Sequence, residues 1–152
     1  MNIIGAGVGT LTSLANSIVA SNAFRIHTSG SVTIAAGNQI ITLRLYAGPT
    51  STLLVSSYAI TLASLTGSPP PYNLQTMCTY KSVGSTGSVQ INRVFTVNDA
   101  STNQTFFNQN LATIDTTVDN VFRMTVQWTT ADTVNVFIVN QCTAHNIYGL
   151  SY

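Results

Sequence analysis

The sequence predicts an all-β fold, an antiparallel β-sandwich of jelly-roll-like kind with about eight to ten short strands. Three observations carry it. The chain of 152 residues contains no Glu and a single Lys but 23 Thr, so straight-chain helix formers are scarce and β-branched residues abundant. Short runs alternate apolar and polar side chains with a period of two, the pattern of strands buried on one face. Gly, Asn, Pro and Ser punctuate these runs at a spacing of about 8–12 residues.

The chain reads as one domain over 1–152, with residues 1–9 a flexible Gly-rich lead-in and 144–152 a C-terminal arm. A first strand follows at 8–13. Phe24 and Ile26 alternate with Arg25 and His27, and a further strand is read at 31–35 after a turn at Ser29-Gly30. Ile41, Leu43 and Leu45 alternate with Thr42, Arg44 and Tyr46. Strands are read next at 52–61, 74–82, 87–97 and 133–143. The clearest segment is 122–129, in which Phe122, Met124, Val126 and Trp128 share one face while Arg123, Thr125, Gln127 and Thr129 share the other. Turns are expected at Gly37-Asn38, Gly48-Pro49, Gly67 to Pro71, Gly84 to Gly87, Asn98-Asp99 and Ala131-Asp132. The Asn- and Thr-rich stretch 98–120 reads as a long ordered connection, and Ser68-Pro69-Pro70-Pro71-Tyr72 as a stiff loop.

Charge restricts function. Arg25, Arg44, Lys81, Arg93 and Arg123 stand against Asp99, Asp115, Asp119 and Asp132, a net charge of +1 from only 6% charged residues. Cations so scattered leave no footprint for a phosphate backbone, and nucleic acid is not an expected partner. No apolar run approaches the roughly 20 residues of a membrane span, and no basic residue precedes an apolar block near Met1. Neither a membrane partner nor a signal peptide is predicted.

No enzyme, cofactor or metal site is predicted. Gly5, Gly7 and Gly9 imitate a dinucleotide-binding turn, but position 10 is Thr where the motif wants a later Gly, and no acid occurs before Asp99. No Gly-x-Ser-x-Gly elbow exists to give His27 or His145 a nucleophile. Asp115 and Asp119 are the only close carboxylates; turn caps or surface charges explain them better than a glycosidase pair, or with Asp132 a Ca²⁺ site. Cys78 and Cys142 fit no metal-ligand spacing and form either a disulfide or two interior thiols.

Thr, Ser, Asn and Gln supply 59 of the 152 residues, and a surface of hydroxyls and amides almost without Lys or Glu suits permanent contact. Candidate assembly-interface residues are Tyr148, Leu150 and Tyr152 of the C-terminal arm, together with Tyr72.

Several phrases resemble small β-sandwich virion proteins of tailed bacteriophages and large DNA viruses. They are Gly9-Thr10-Leu11-Thr12, Ala15-Asn16-Ser17, Phe24-Arg25-Ile26 and Thr42-Leu43-Arg44-Leu45, then Val94-Phe95-Thr96-Val97-Asn98, Asp115-Thr116-Thr117 and Thr125-Val126-Gln127-Trp128. The resemblance implies a jelly-roll-like module assembled on a particle, often as a homotrimer, and supplies no catalytic residue. A departure is Ser68-Pro69-Pro70-Pro71-Tyr72, where similar modules carry an apolar or charged strand entry. The sandwich starts near Met1 and leaves no room for a shaft, so the role expected is a capsid decoration or cement protein on the outer capsid surface, bound to the major capsid protein. The alternative is a fibre-head or tail-tip module recognising host glycans; a small lectin or carbohydrate-active enzyme is a third class that lacks convergent carboxylates.

Overall fold

Alternating side chains become alternating burial wherever the backbone is extended, and that pattern organises the whole molecule. The computed structural model describes residues 2–4, 11–35, 37–57, 59–63, 69–99 and 103–147. Its strands are β1 (Asn2–Ile4), β2 (Leu11–Ser13), β3 (Ala23–Thr33), β4 (Gln39–Ala47), β5 (Thr52–Ser56), β6 (Ile60–Leu62), β7 (Pro71–Ser82), β8 (Gly87–Asn98), β9 (Asn103–Ile114), β10 (Asn120–Trp128) and β11 (Val136–Ile147). In the six-stranded sheet β10 lies between β4 and the short strands β1 and β2, while β4 carries β5 and β6 on its far side; the five-stranded sheet runs β11-β3-β7-β8-β9. Every pairing is antiparallel. The connections β2 to β3, β3 to β4, β6 to β7, β9 to β10 and β10 to β11 each pass from one sheet to the other, as in jelly rolls and Greek keys. The result is the predicted antiparallel β-sandwich.

The core is the inward row of each strand. Phe122, Met124 and Val126 of β10 and Ile41, Leu43 and Leu45 of β4 face Phe24, Ile26, Leu74, Ile91 and Phe95 of the other sheet, all buried. Each such side chain contributes about 1.5–3 kcal/mol by leaving water. Phe24 meets Phe122 edge-on across the sheets at 4.8 Å between centroids. Elsewhere Tyr72 lies 4.2 Å from Phe137 and 5.8 Å from Phe95.

Several expectations change. The stretch 98–120 is not a connection: its middle is β9, paired with β8 along its full length from Asn98↔Asn103 to Gly87↔Ile114. Its alternation is hidden because inward positions carry Gln104, Asn108 and Asn110, so both faces look polar. The segment 52–61 is broken into β5 and β6, which pair with different stretches of β4. Pro71 and Tyr72 open β7 instead of belonging to a loop, with Pro71 at the first strand position, where its missing N–H costs least; Ser68 lies outside the described residues. Asn2–Ile4 of the Gly-rich lead-in pair with β10, and residues 144–147 of the arm continue β11.

Ser29-Gly30 is no turn. Both lie inside β3, which runs unbroken through 31–33. Glycine is needed there because β11 comes too close: a Cβ on Gly30 would sit 1.8 Å from the Ile138 carbonyl oxygen and 3.0 Å from the Tyr72 ring. The close approach coincides with the register shift between Val139 and Gln141 of β11. Gly30→Ala forces β11 off β3 and is expected to cost about 3 kcal/mol or more, read as a lowered urea midpoint; an unchanged midpoint would show that β11 is not held in this register.

Candidate functional site

The expected interface residues separate at once. Tyr72 is only 1% exposed, because its place on the inward row of β7 turns the ring into the aromatic cluster; it is a core residue, not a surface contact. Tyr148, Leu150 and Tyr152 lie outside the described residues.

Asp115 caps its own turn, whereas Asp119 holds a segment distant in sequence. Asp115 Oδ1 accepts from the Thr117 amide at 2.8 Å and its hydroxyl at 2.6 Å, and these bonds hold its carboxyl below the usual range. Asp119 Oδ1 accepts from Ala15 N at 2.8 Å, tying the segment after β2 to the start of β10. His27 and His145 fall diagonally on the outer face, since His27 pairs with Thr143 and Arg25 with His145; His145 is a strand residue, not a tail residue. Asn73 Oδ1 meets His27 Nε2 at 3.1 Å. Among the described residues no three His, Cys, Asp or Glu come together as metal ligands, and no helix is long and apolar enough to cross a membrane. Cys78 and Cys142 are free thiols, on β7 and β11 with β3 between them.

Two surfaces stand out. The first is the pair of terminal strands of the five-stranded sheet. Both β9 and β11 are 12 residues long, and neither contains Lys, Arg, Asp, Glu or Pro, the devices that usually blunt an unpaired edge. They also expose large apolar side chains: Phe107 at 75% and Leu111 at 60% on β9, with Val136 and Ile138 on β11. All five cations lie in strands and all four aspartates in connections, so the faces and edges of this sheet carry no carboxylate.

The second surface is a cleft of about 330 Å³ where the edge of the six-stranded sheet breaks between β5 and β6. Asn110 Nδ2 donates to Leu54 O at 2.7 Å and Ala63 N donates to Gln104 Oε1 at 3.1 Å. These two bonds tie β9 to the opposite sheet on either side of the opening. Leu43, Ile60, Leu74, Phe95 and Phe106 line the walls, and Arg93 and Asn108 supply polarity. Arg93 occupies an inward position of β8, between Ile91 and Phe95, and is only 3% exposed. Its Nη1 donates to the Leu43 carbonyl at 2.9 Å, which also accepts from Ser57 N at 2.8 Å. Arg93 Nε and Nη2, and Asn108 Oδ1 beside them on β9, have no hydrogen-bond partner among the described residues. Burial lowers the Arg93 pKa from 12.5 to about 10, so the guanidinium stays charged at neutral pH. Sequence reasoning missed this site, although an arginine on the apolar register Val89, Ile91, Phe95, Val97 was its signal.

Comparison of the chain with protein-family models, with curated proteins and with solved structures finds no match.

Buried acids make the fold sensitive to alkali. Desolvation pushes the Cys78 thiol from 9.0 up to about 12, against the opposing pull of Arg93, and the Tyr80 phenol from 10.0 up to about 12. Above pH 9 the unfolded chain therefore releases protons that the folded chain keeps, and stability falls as pH rises. Arg93 acts with the opposite sign only above about pH 10. The urea midpoint is expected to hold up to pH 9 and then decline, with Cys78→Ala lacking the part between pH 9 and 10; identical profiles would contradict this assignment.

Proposed function

We propose that the chain is a structural protein of a virus particle, a decoration or cement protein that seats on the outer capsid surface as an oligomer, a trimer in the arrangement the sequence resemblance implies. The observation that carries this reading is the pair of uncharged 12-residue terminal strands, β9 and β11. Unblunted edges offer backbone donors and acceptors to another chain. Phe107, Leu111, Val136 and Ile138 add apolar contact of the kind concentrated in permanent interfaces. The partners are a second copy of the chain and the major capsid protein.

Mechanistically the protein has no chemistry to perform. A ligand that binds only the expanded shell stabilises that state by mass action, and an oligomer that seats at several points converts weak contacts into durable ones. A surface of hydroxyls and amides has few charges to desolvate when it docks.

The test is sedimentation of the purified chain with undecorated, expanded capsids of its parent virus. The expected result is saturable, stoichiometric co-sedimentation. Leu111→Lys combined with Ile138→Lys puts charge on both edges at exposed positions, and it is expected to weaken co-sedimentation about tenfold or more while changing stability by less than about 0.5 kcal/mol. A chain that stays in the supernatant but binds host-cell glycans would replace this function with the fibre-head one.

A further inference from the structure

The cleft over Arg93 asks for an explanation that assembly does not provide. On β8 the inward positions are otherwise apolar or glycine, and a guanidinium there loses its hydration while gaining one carbonyl acceptor. An arrangement of that kind is costly unless something else meets the charge. Its neighbours in register, Thr76 on β7 and Asn108 on β9, also hold buried oxygens with no partner among the described residues. This polar row crosses an apolar inner face and reaches the edge of the opposite sheet that is divided between β5 and β6.

The orientation of Arg93 narrows the ligand. With Nη1 committed to Leu43 O, the atoms left over are Nε and Nη2, whose N–H groups point from one edge of the planar guanidinium. That edge is a two-pronged fork matched to the paired oxygens of a carboxylate. Among the described residues lining the cleft, Arg93 is the only charged one, so a single negative charge balances it whereas a dianionic phosphate would bury an excess. The remaining walls, Leu43, Ile60, Leu74, Phe95 and Phe106, are apolar, and about 330 Å³ lies at the small end of ligand pockets.

We propose that this cleft is a binding site for a small monocarboxylate with an apolar body: the guanidinium of Arg93, whose Nε and Nη2 are covered in this structure, turns toward the opening on binding and holds the carboxylate side-on, while the hydrocarbon part packs between Leu74, Phe95 and Ile60. Asn108 Oδ1 accepts from a hydroxyl or amide N–H placed near the carboxylate. Occupancy stabilises the fold, because the ligand meets the buried charge only in the native state. The site shares Phe107 with the exposed face of β9 but includes neither Leu111 nor Ile138, so the variant that tests assembly leaves the cleft lining unchanged.

The experiment is calorimetric titration of the full chain with octanoate, with 1-octanol and octylamine as neutral and cationic controls, paired with thermal unfolding at each ligand concentration. One-to-one saturable binding of octanoate with a rise in Tm is expected, and both controls should bind about tenfold or more weakly, the scale of a lost charged hydrogen bond. Arg93→Met removes the fork while filling its volume; it should fold with an equal or higher Tm and lose octanoate binding. Should that variant fail to fold, Ala59→Trp, at an exposed position on the cleft mouth, blocks entry without touching the core and should abolish binding equally. No saturable binding by the wild type, equal affinity for octanol, or binding that survives either folded variant would overturn the proposal.

Discussion

Burial of two apolar sheet faces against each other is the interaction on which everything else in this molecule depends. Each strand can satisfy it in only one register, because a slip of one residue would turn the whole inward row to water. Phe24 against Phe122 fixes how the sheets meet at one place, and the Tyr72, Phe95 and Phe137 cluster fixes it at another. Once these contacts are made, the positions of most other groups follow: most hydroxyls and amides outward, the aspartates in the connections between strands, and two long strands left at the ends of the five-stranded sheet.

Those ends carry the functional argument. A monomer that must stay separate usually protects its terminal strands with lysine, proline or brevity, and β9 and β11 use none of these. The same scarcity of charge that makes the composition unusual leaves both edges without a charged residue to blunt them. β11 does carry one irregularity, the register shift near Gly30, but its consequence is inward: it lets the Ile138 carbonyl close over a residue without a side chain. The aspartates that might have repelled a neighbouring copy are confined to connections between strands.

Much of this was legible in the sequence, and the exceptions share a cause. β10, β4 and the first half of β3 were readable because one face is apolar and the other polar. β9 was not, since Gln104 and Asn110 face inward to bond across to Ala63 and Leu54, contacts 41 and 56 residues away that no local pattern reveals. Gly30 carries a turn's chemistry but answers to a neighbour 108 positions later, Ile138. Tyr72 follows three prolines and reads as a loop residue, yet strand register carries it into the core. The Arg93 cleft was half legible: the arginine breaks an apolar register in plain view, whereas the gap between β5 and β6 that opens above it has no sequence signal in 52–61.

The two proposals, association through strand edges and ligand capture by a buried cation, concern separate tasks, and the first is the central one. It is tested most directly by light scattering coupled to size exclusion on the purified chain across a range of concentrations. A molar mass at an integral multiple of the single chain, held on dilution, is the predicted result. A mass equal to one chain at every concentration would contradict it, because edges this long and uncharged would then have no partner of their own kind.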